Sequence, residues 1–168
     1  AGVNVSILGT VPTPVVSYLA RNTDADLGVV ISASHNPYFD NGIKIFDSDG
    51  NKISDEMQLL IESKLNKEHV IEDSKKLGRL RRIEYEFGIY EDFCERFMSG
   101  PEIFSGIKVA MDCANGATYR VAPRILEKTG ASLVVVGAKP NGFNINENCG
   151  STGTSVLQKL VIADNADV

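Results

Sequence analysis

The segment Ser32-Ala33-Ser34-His35-Asn36-Pro37-Tyr38-Phe39-Asp40-Asn41-Gly42 gathers hydroxyls, an imidazole, amides and a carboxylate directly after an apolar run. Ser34 is the candidate nucleophile or phosphate carrier, but a serine hydroxyl is weak at neutral pH and needs a base or electrostatic help. His35 adjoins it, yet neighbours in extended chain rarely aim at one another, so a Ser–His dyad does not follow. Lys44 has better prospects. A strand returning beside the loop would bring its ammonium to the mouth of the site, to hold a phosphate dianion or pass a proton. A plain structural reading also exists: Asn36-Pro37 and Asn41-Gly42 form turns, Ser34 satisfies backbone groups, and Lys44 lies on a solvated strand face. On composition alone the plain reading is favoured.

Other motifs are weaker. Neither G-x-x-x-x-G-K-[ST] nor G-x-G-x-x-G occurs, so phosphate-loop and dinucleotide fingerprints are absent. A Ser–His hydrolase would need a G-x-S-x-G elbow, also absent. Asp112-Cys113-Ala114-Asn115-Gly116-Ala117-Thr118 could offer amides to an anion at a helix start, but a structural turn is the preferred reading. Asn141-Gly142 and Cys149-Gly150 mark loop turns, and His69 is expected exposed in a charged linker. Cys94, Cys113 and Cys149 are odd in number and lack a C-x-x-C pair, which argues against a disulfide scaffold or structural zinc and fits a reducing cytoplasm. They read as small buried hydrophobes.

The elements that must position Ser34 alternate in type. Residues 3–8 read as a strand, and Thr13-Pro14 opens a helix to about Arg21, with Thr13 able to accept from first-turn amides. The apolar run 27–32 has the mark of a strand buried on both faces. Loop 33–41 leads to a strand at 42–46, a turn at 47–51, and a helix capped by Ser54 with Met57, Leu60, Ile61 and Leu65 at helical spacing. Residues 66–82 form a polar linker with at most a short strand. A second unit starts near Ile83, with Ile83, Phe87, Tyr90, Cys94 and Phe97 on one core-facing side of a helix ending near Gly100-Pro101. Strands at 107–111 and 133–136 flank a helix containing Pro123, and a long loop at 139–152 precedes a last helix at 154–163. This alternation predicts the α/β class: two mixed, mostly parallel sheets flanked by helices, divided as residues 1–82 and 83–168. The opening strand and the end at Val168 both read as cuts from a longer polypeptide.

Composition sets the outer bounds. The chain has 168 residues, 43% hydrophobic and 23% charged, enough apolar material for a packed core. A formal net charge of −5 argues against a nucleic-acid surface built on basic excess, and no run approaches the roughly 18 apolar residues of a membrane span.

Ser32-Ala33-Ser34-His35-Asn36-Pro37, followed by Asp40-Asn41-Gly42-Ile43-Lys44, resembles the active-site loop of the α-D-phosphohexomutase superfamily. The particular form of residues 31–37, together with residues 112–119 and Pro140-Asn141-Gly142-Phe143-Asn144-Ile145-Asn146, is similar to the branch of that superfamily acting on glucosamine phosphate. The resemblance runs through essentially the whole chain. It implies that Ser34 is a phosphoserine exchanging its phosphoryl group with a hexosamine phosphate, through a bisphosphate intermediate that interconverts glucosamine 6-phosphate and glucosamine 1-phosphate. It implies catalytic roles for Lys44 and His35, phosphate contacts and loop shaping by His35 and Asn36, and Mg²⁺ held in part by Ser34. Its implied partners are the sugar phosphate and the remaining domains of the same enzyme, not nucleic acid or membrane, and it leaves a homodimer open. The metal, sugar and phosphate loops of that superfamily fall outside this sequence, so the segment alone is expected to be inactive. The alternatives are glucose or mannose phosphate as substrate, or a non-catalytic phosphosugar-binding module.

Overall fold

The computed structural model describes residues 2–67, 72–83, 86–98 and 102–168. The elements among them are β1 (Val5–Ile7), α1 (Thr13–Asn22), β2 (Leu27–Ile31), β3 (Ile43–Asp47), α2 (Asp55–Glu62), β4 (Leu80–Arg82), α3 (Glu86–Phe97), β5 (Lys108–Asp112), α4 (Val121–Glu127), β6 (Ser132–Val136) and α5 (Ser155–Asp164). The class is α/β, as the alternation requires. The strands form three two-stranded ladders: β1 with β4 and β5 with β6 are parallel, and β2 with β3 is an antiparallel hairpin. The short strand allowed in the linker is β4, which pairs back onto β1.

The hairpin is held by α1. Val15, Val16 and Leu19 of the helix pack with Val11, Val30 and Phe46 into one buried cluster. Fully burying such side chains stabilises by about 1.5–3 kcal/mol each, so this cluster fixes the hairpin's position on the helix. Gly28 permits the close approach: a methyl group there would stand 3.0 Å from Val16 Cγ1 and 3.3 Å from the Ala20 Cβ. Thr13 does not cap α1. Pro12 occupies the cap position without a side-chain bond, and Thr13 is already helical. Pro14 falls in the first turn, where its missing N–H would have no partner.

The run 27–32 is not buried on both faces. Val30 faces α1, whereas Leu27, Val29 and Ile31 are 58%, 56% and 74% exposed. Successive side chains alternate between the faces of a strand, and among the described residues only one face has a helix against it. The spacing in α2 meets the same outcome: Ser54 Oγ caps it by accepting from Met57 N–H at 3.3 Å, but Met57, Leu60 and Leu65 are exposed.

α3 joins the two halves of the chain. Tyr90 and Phe93 pack on Tyr18 of α1, with ring centroids at 5.6 and 4.4 Å. The expected continuous core stripe is interrupted: Ile83 precedes the helix, Phe97 is exposed, and the Phe87 side chain and the Gly100-Pro101 stop lie outside the described residues. His69 lies outside them too. Glu91, on the same helix, is 2% exposed and accepts from Arg124 of α4 at 3.1 Å, with Lys128 Nζ at 3.5 Å. Pro123 sits in the first turn of α4.

Candidate active site around Ser34

The hairpin ladder continues one step past β2: Ser32 N–H donates to the Gly42 carbonyl at 2.8 Å. Two tight turns fold the intervening loop, with Asn36 N–H donating to the Ala33 carbonyl at 3.2 Å and Asp40 N–H to Pro37 at 3.1 Å. Ser34 stands in the first turn at φ 60°, a left-handed conformation, with its N–H donating to Ser32 Oγ at 3.1 Å. Such a backbone costs about 1–3 kcal/mol in a residue with a side chain, and it persists where the surroundings impose it. Ser34 is exposed, and its Oγ has no hydrogen-bond partner among the described residues.

A groove of about 2220 Å³ opens beside this turn, and Ser34 and Asn36 line it together with Ala114, Asn115 and Asn146. His35 is turned to a separate cavity of about 350 Å³, shared with Tyr38, Phe143 and Asn146. Lys44 lies opposite Val30 in the hairpin, half-buried, and is not among the groove's lining residues. The structure therefore gathers Ser34 and Asn36 on one wall and leaves His35 and Lys44 off it.

The facing wall is the turn after β5. The Asp112 carboxylate accepts from Ala114 N–H at 2.7 Å and from Gly150 N–H at 2.6 Å. Ala114 and Asn115 are both left-handed, at φ 55° and 48°. Asn115 N–H donates to the Gly137 carbonyl and Gly116 N–H to Cys113, so these amides are spent inside the turn rather than offered to an anion. The structural reading of residues 112–118 is the one the geometry supports. Burial pushes the thiols of Cys113 and Cys149 above the usual range, with the nearby Asp112 carboxylate adding to the effect, so neither is poised as a nucleophile.

Sequence reasoning gave the 139–152 loop turns without chemistry and so missed Asn146. Its side-chain amide donates to the Asn36 carbonyl at 3.0 Å, and its own N–H donates to the Ala114 carbonyl at 2.9 Å. Phe143 meets Tyr38 edge-on, centroids 5.4 Å apart. The available signal was the repetition of asparagine at 141, 144, 146 and 148, since asparagine tolerates left-handed backbone, and Asn146 and Asn148 adopt it.

Among the described residues no three His, Cys, Asp or Glu side chains stand together as a cation site. Asp40, the carboxylate closest in sequence to Ser34, is exposed in the same loop. No described helix is long and apolar enough to cross a membrane.

Residues 1–71 match the family model described as phosphoglucomutase/phosphomannomutase, alpha/beta/alpha domain I. Over all 168 residues the chain is 49% identical to the phosphoglucosamine mutase of Pseudomonas fluorescens and 46% identical to phosphoglucosamine mutase 1 of Shewanella amazonensis. It spans 38% of the length of each of these relatives. Among solved structures, a Burkholderia thailandensis phosphoglucomutase/phosphomannomutase family protein superposes with a TM-score of 0.72 at 22% identity, covering 98% of this chain and 36% of that one. A Thermus thermophilus protein, provisionally called a phosphomannomutase, gives 0.76 at 24% identity, covering 95% and 37%. These superpositions show that the chain shares the α/β fold of the matched parts of those two structures. By sequence, the chain is similar to the phosphoglucomutase/phosphomannomutase family model over residues 1–71 and to phosphoglucosamine mutases along its whole length.

Proposed function

We propose that this chain is the phosphoserine-bearing segment of an enzyme that interconverts glucosamine 6-phosphate and glucosamine 1-phosphate. The observation that carries the reading is Ser34 itself: exposed, held left-handed just past β2, on the wall of a large groove, with no hydrogen-bond partner for its Oγ among the described residues. The identity to phosphoglucosamine mutases over the whole chain supports the choice of sugar. The division into residues 1–82 and 83–168 belongs to the same reading, supported by a domain I match that stops at residue 71.

In this mechanism phospho-Ser34 donates first. The sugar's 1-hydroxyl attacks phosphorus, the P–Oγ bond breaks, and the proton lost by that hydroxyl is balanced by one gained at Oγ. The resulting 1,6-bisphosphate reorients and Ser34 Oγ attacks its 6-phosphate; the P–O6 bond breaks, O6 gains the proton that Oγ loses, and phosphoserine and glucosamine 1-phosphate result. Little covalent chemistry is asked of the protein, so positioning and charge stabilisation supply most of the rate. Lys44, on its flexible stem, is proposed to support transfer by handling charge or a proton. Asn36 and His35 shape the turn and contact phosphate. Ser34 fits a role as one oxygen ligand to Mg²⁺, which when bound would neutralise part of the phosphoserine charge, with the other ligands lying outside this segment. The free Cys94, Cys113 and Cys149 fit a cytoplasmic enzyme.

The test is turnover of glucosamine 6-phosphate by the full-length Ser34→Ala variant. Loss of activity is expected, and wild-type activity would end the proposal.

A further inference from the structure

Two parts of the chain 110 residues apart meet at Ser34's turn through one side chain, since Asn146 Nδ2 donates to the Asn36 carbonyl at 3.0 Å. Asn146 is itself braced. Its N–H is bound to the Ala114 carbonyl at 2.9 Å, and its Oδ1 lies where a methyl group on Gly150 would come to 3.0 Å. Gly150 and Ala114 are in turn both gripped by the two oxygens of the Asp112 carboxylate. Asn36 closes the tight turn on Ala33 that contains Ser34, so a donor fixed to the Asn36 carbonyl fixes the arm of that turn leading away from the serine. The Tyr38–Phe143 contact crosses the same gap.

We propose that Asn146 is a positioning residue for the Ser34 turn, tying the serine's backbone to the rigid end of β5 through the Asn36 carbonyl. The inference rests on the reading of Ser34 as phosphoryl carrier. An oxygen that must address phosphorus from either end of a reorienting sugar depends on placement, and a displacement of about 1 Å at a reacting group can cost on the order of 10²-fold in rate. The turn's own bonds are short-range, and Ser34 holds a left-handed backbone that relaxes readily if the arm is free. Asn146 touches no reacting atom. It acts through Asn36.

Asn146→Gly separates side chain from backbone, because glycine accepts the φ of 57° without strain while deleting the amide. In the full-length protein kcat is expected to fall roughly tenfold or more, on the scale of lost positioning, with KM and melting temperature near wild type. Asn146→Asp, which keeps shape but offers no donor at neutral pH, is expected to show the same split. Wild-type kcat in either variant, or a change confined to KM, overturns the proposal. Should Asn146→Gly fold poorly, the Asp variant decides alone. Ser34→Ala is measured alongside: activity surviving there defeats the phosphoserine reading, whereas an inactive Ser34→Ala with a fully active Asn146→Gly defeats only the positioning role.

Discussion

Gly42 lies so close to Ser32 that a methyl group on it would stand 2.8 Å from the Ser32 carbonyl oxygen. The last rung of the hairpin, and with it the base of the loop carrying Ser34, therefore depends on a residue without a Cβ. The obstacle is backbone and cannot swing aside.

Gly42→Ala is accordingly expected to destabilise the fold by about 1–3 kcal/mol, the usual cost of overpacking. It should also lower activity in the full-length protein, because relief comes by opening the Ser32–Gly42 rung. Urea denaturation read beside the assay checks both. Unchanged stability would mean the rung is looser than the geometry describes.

Lys44→Ala is expected to slow turnover by about 10²–10⁴-fold if the ammonium moves a proton. Ser34 should remain phosphorylatable. Intact-mass measurement beside steady-state kinetics separates the two effects, and unaltered kinetics would remove Lys44 from the mechanism.

Glu91 offers a third test. Its carboxylate is 2% exposed, yet its partners Arg124 and Lys128 are 62% and 39% exposed, and its Oε1 has no hydrogen-bond partner among the described residues. Removing both cations leaves a charge stranded between α3 and α4. Arg124→Met with Lys128→Met should destabilise by somewhat less than the about 3–5 kcal/mol typical of breaking a buried pair, since water already reaches the cations. Adding Glu91→Gln should recover part of the loss. A double variant as stable as wild type would show that the cations do not support Glu91.

The raised thiol pKa values of Cys113 and Cys149 predict a pH dependence. Burial is the larger cause in both, and it favours the neutral thiol in the fold. Their contribution to stability is full below the unfolded thiol pKa of about 8.5 and is lost as pH rises through the higher folded values. Alkylation of these two thiols in the native protein should therefore be slow at neutral pH and accelerate only well into the alkaline range. Fast labelling near pH 7 would contradict their burial.

Local chemistry was legible where it is decided locally. Ser54 caps its helix as its position indicated, and Asp47 closes its turn by accepting from Asp49 and Asn51 N–H groups. The apolar run 27–32 gave a strand, but whether Ile31 is covered depends on elements elsewhere, which a local pattern does not encode. Ser34 drew attention through the residues around it and through resemblance. Its left-handed backbone and Asn146's reach to Asn36 did not, because that contact depends on how residues 110 apart in sequence are folded together.

Peptide mapping of the full-length protein by tandem mass spectrometry, before and after brief exposure to glucosamine 6-phosphate, bears most directly on Ser34. A single phosphoryl group on Ser34 that departs with substrate and is restored by the 1,6-bisphosphate is the predicted result. A Ser34 that never carries phosphate in a turning-over enzyme would contradict the account.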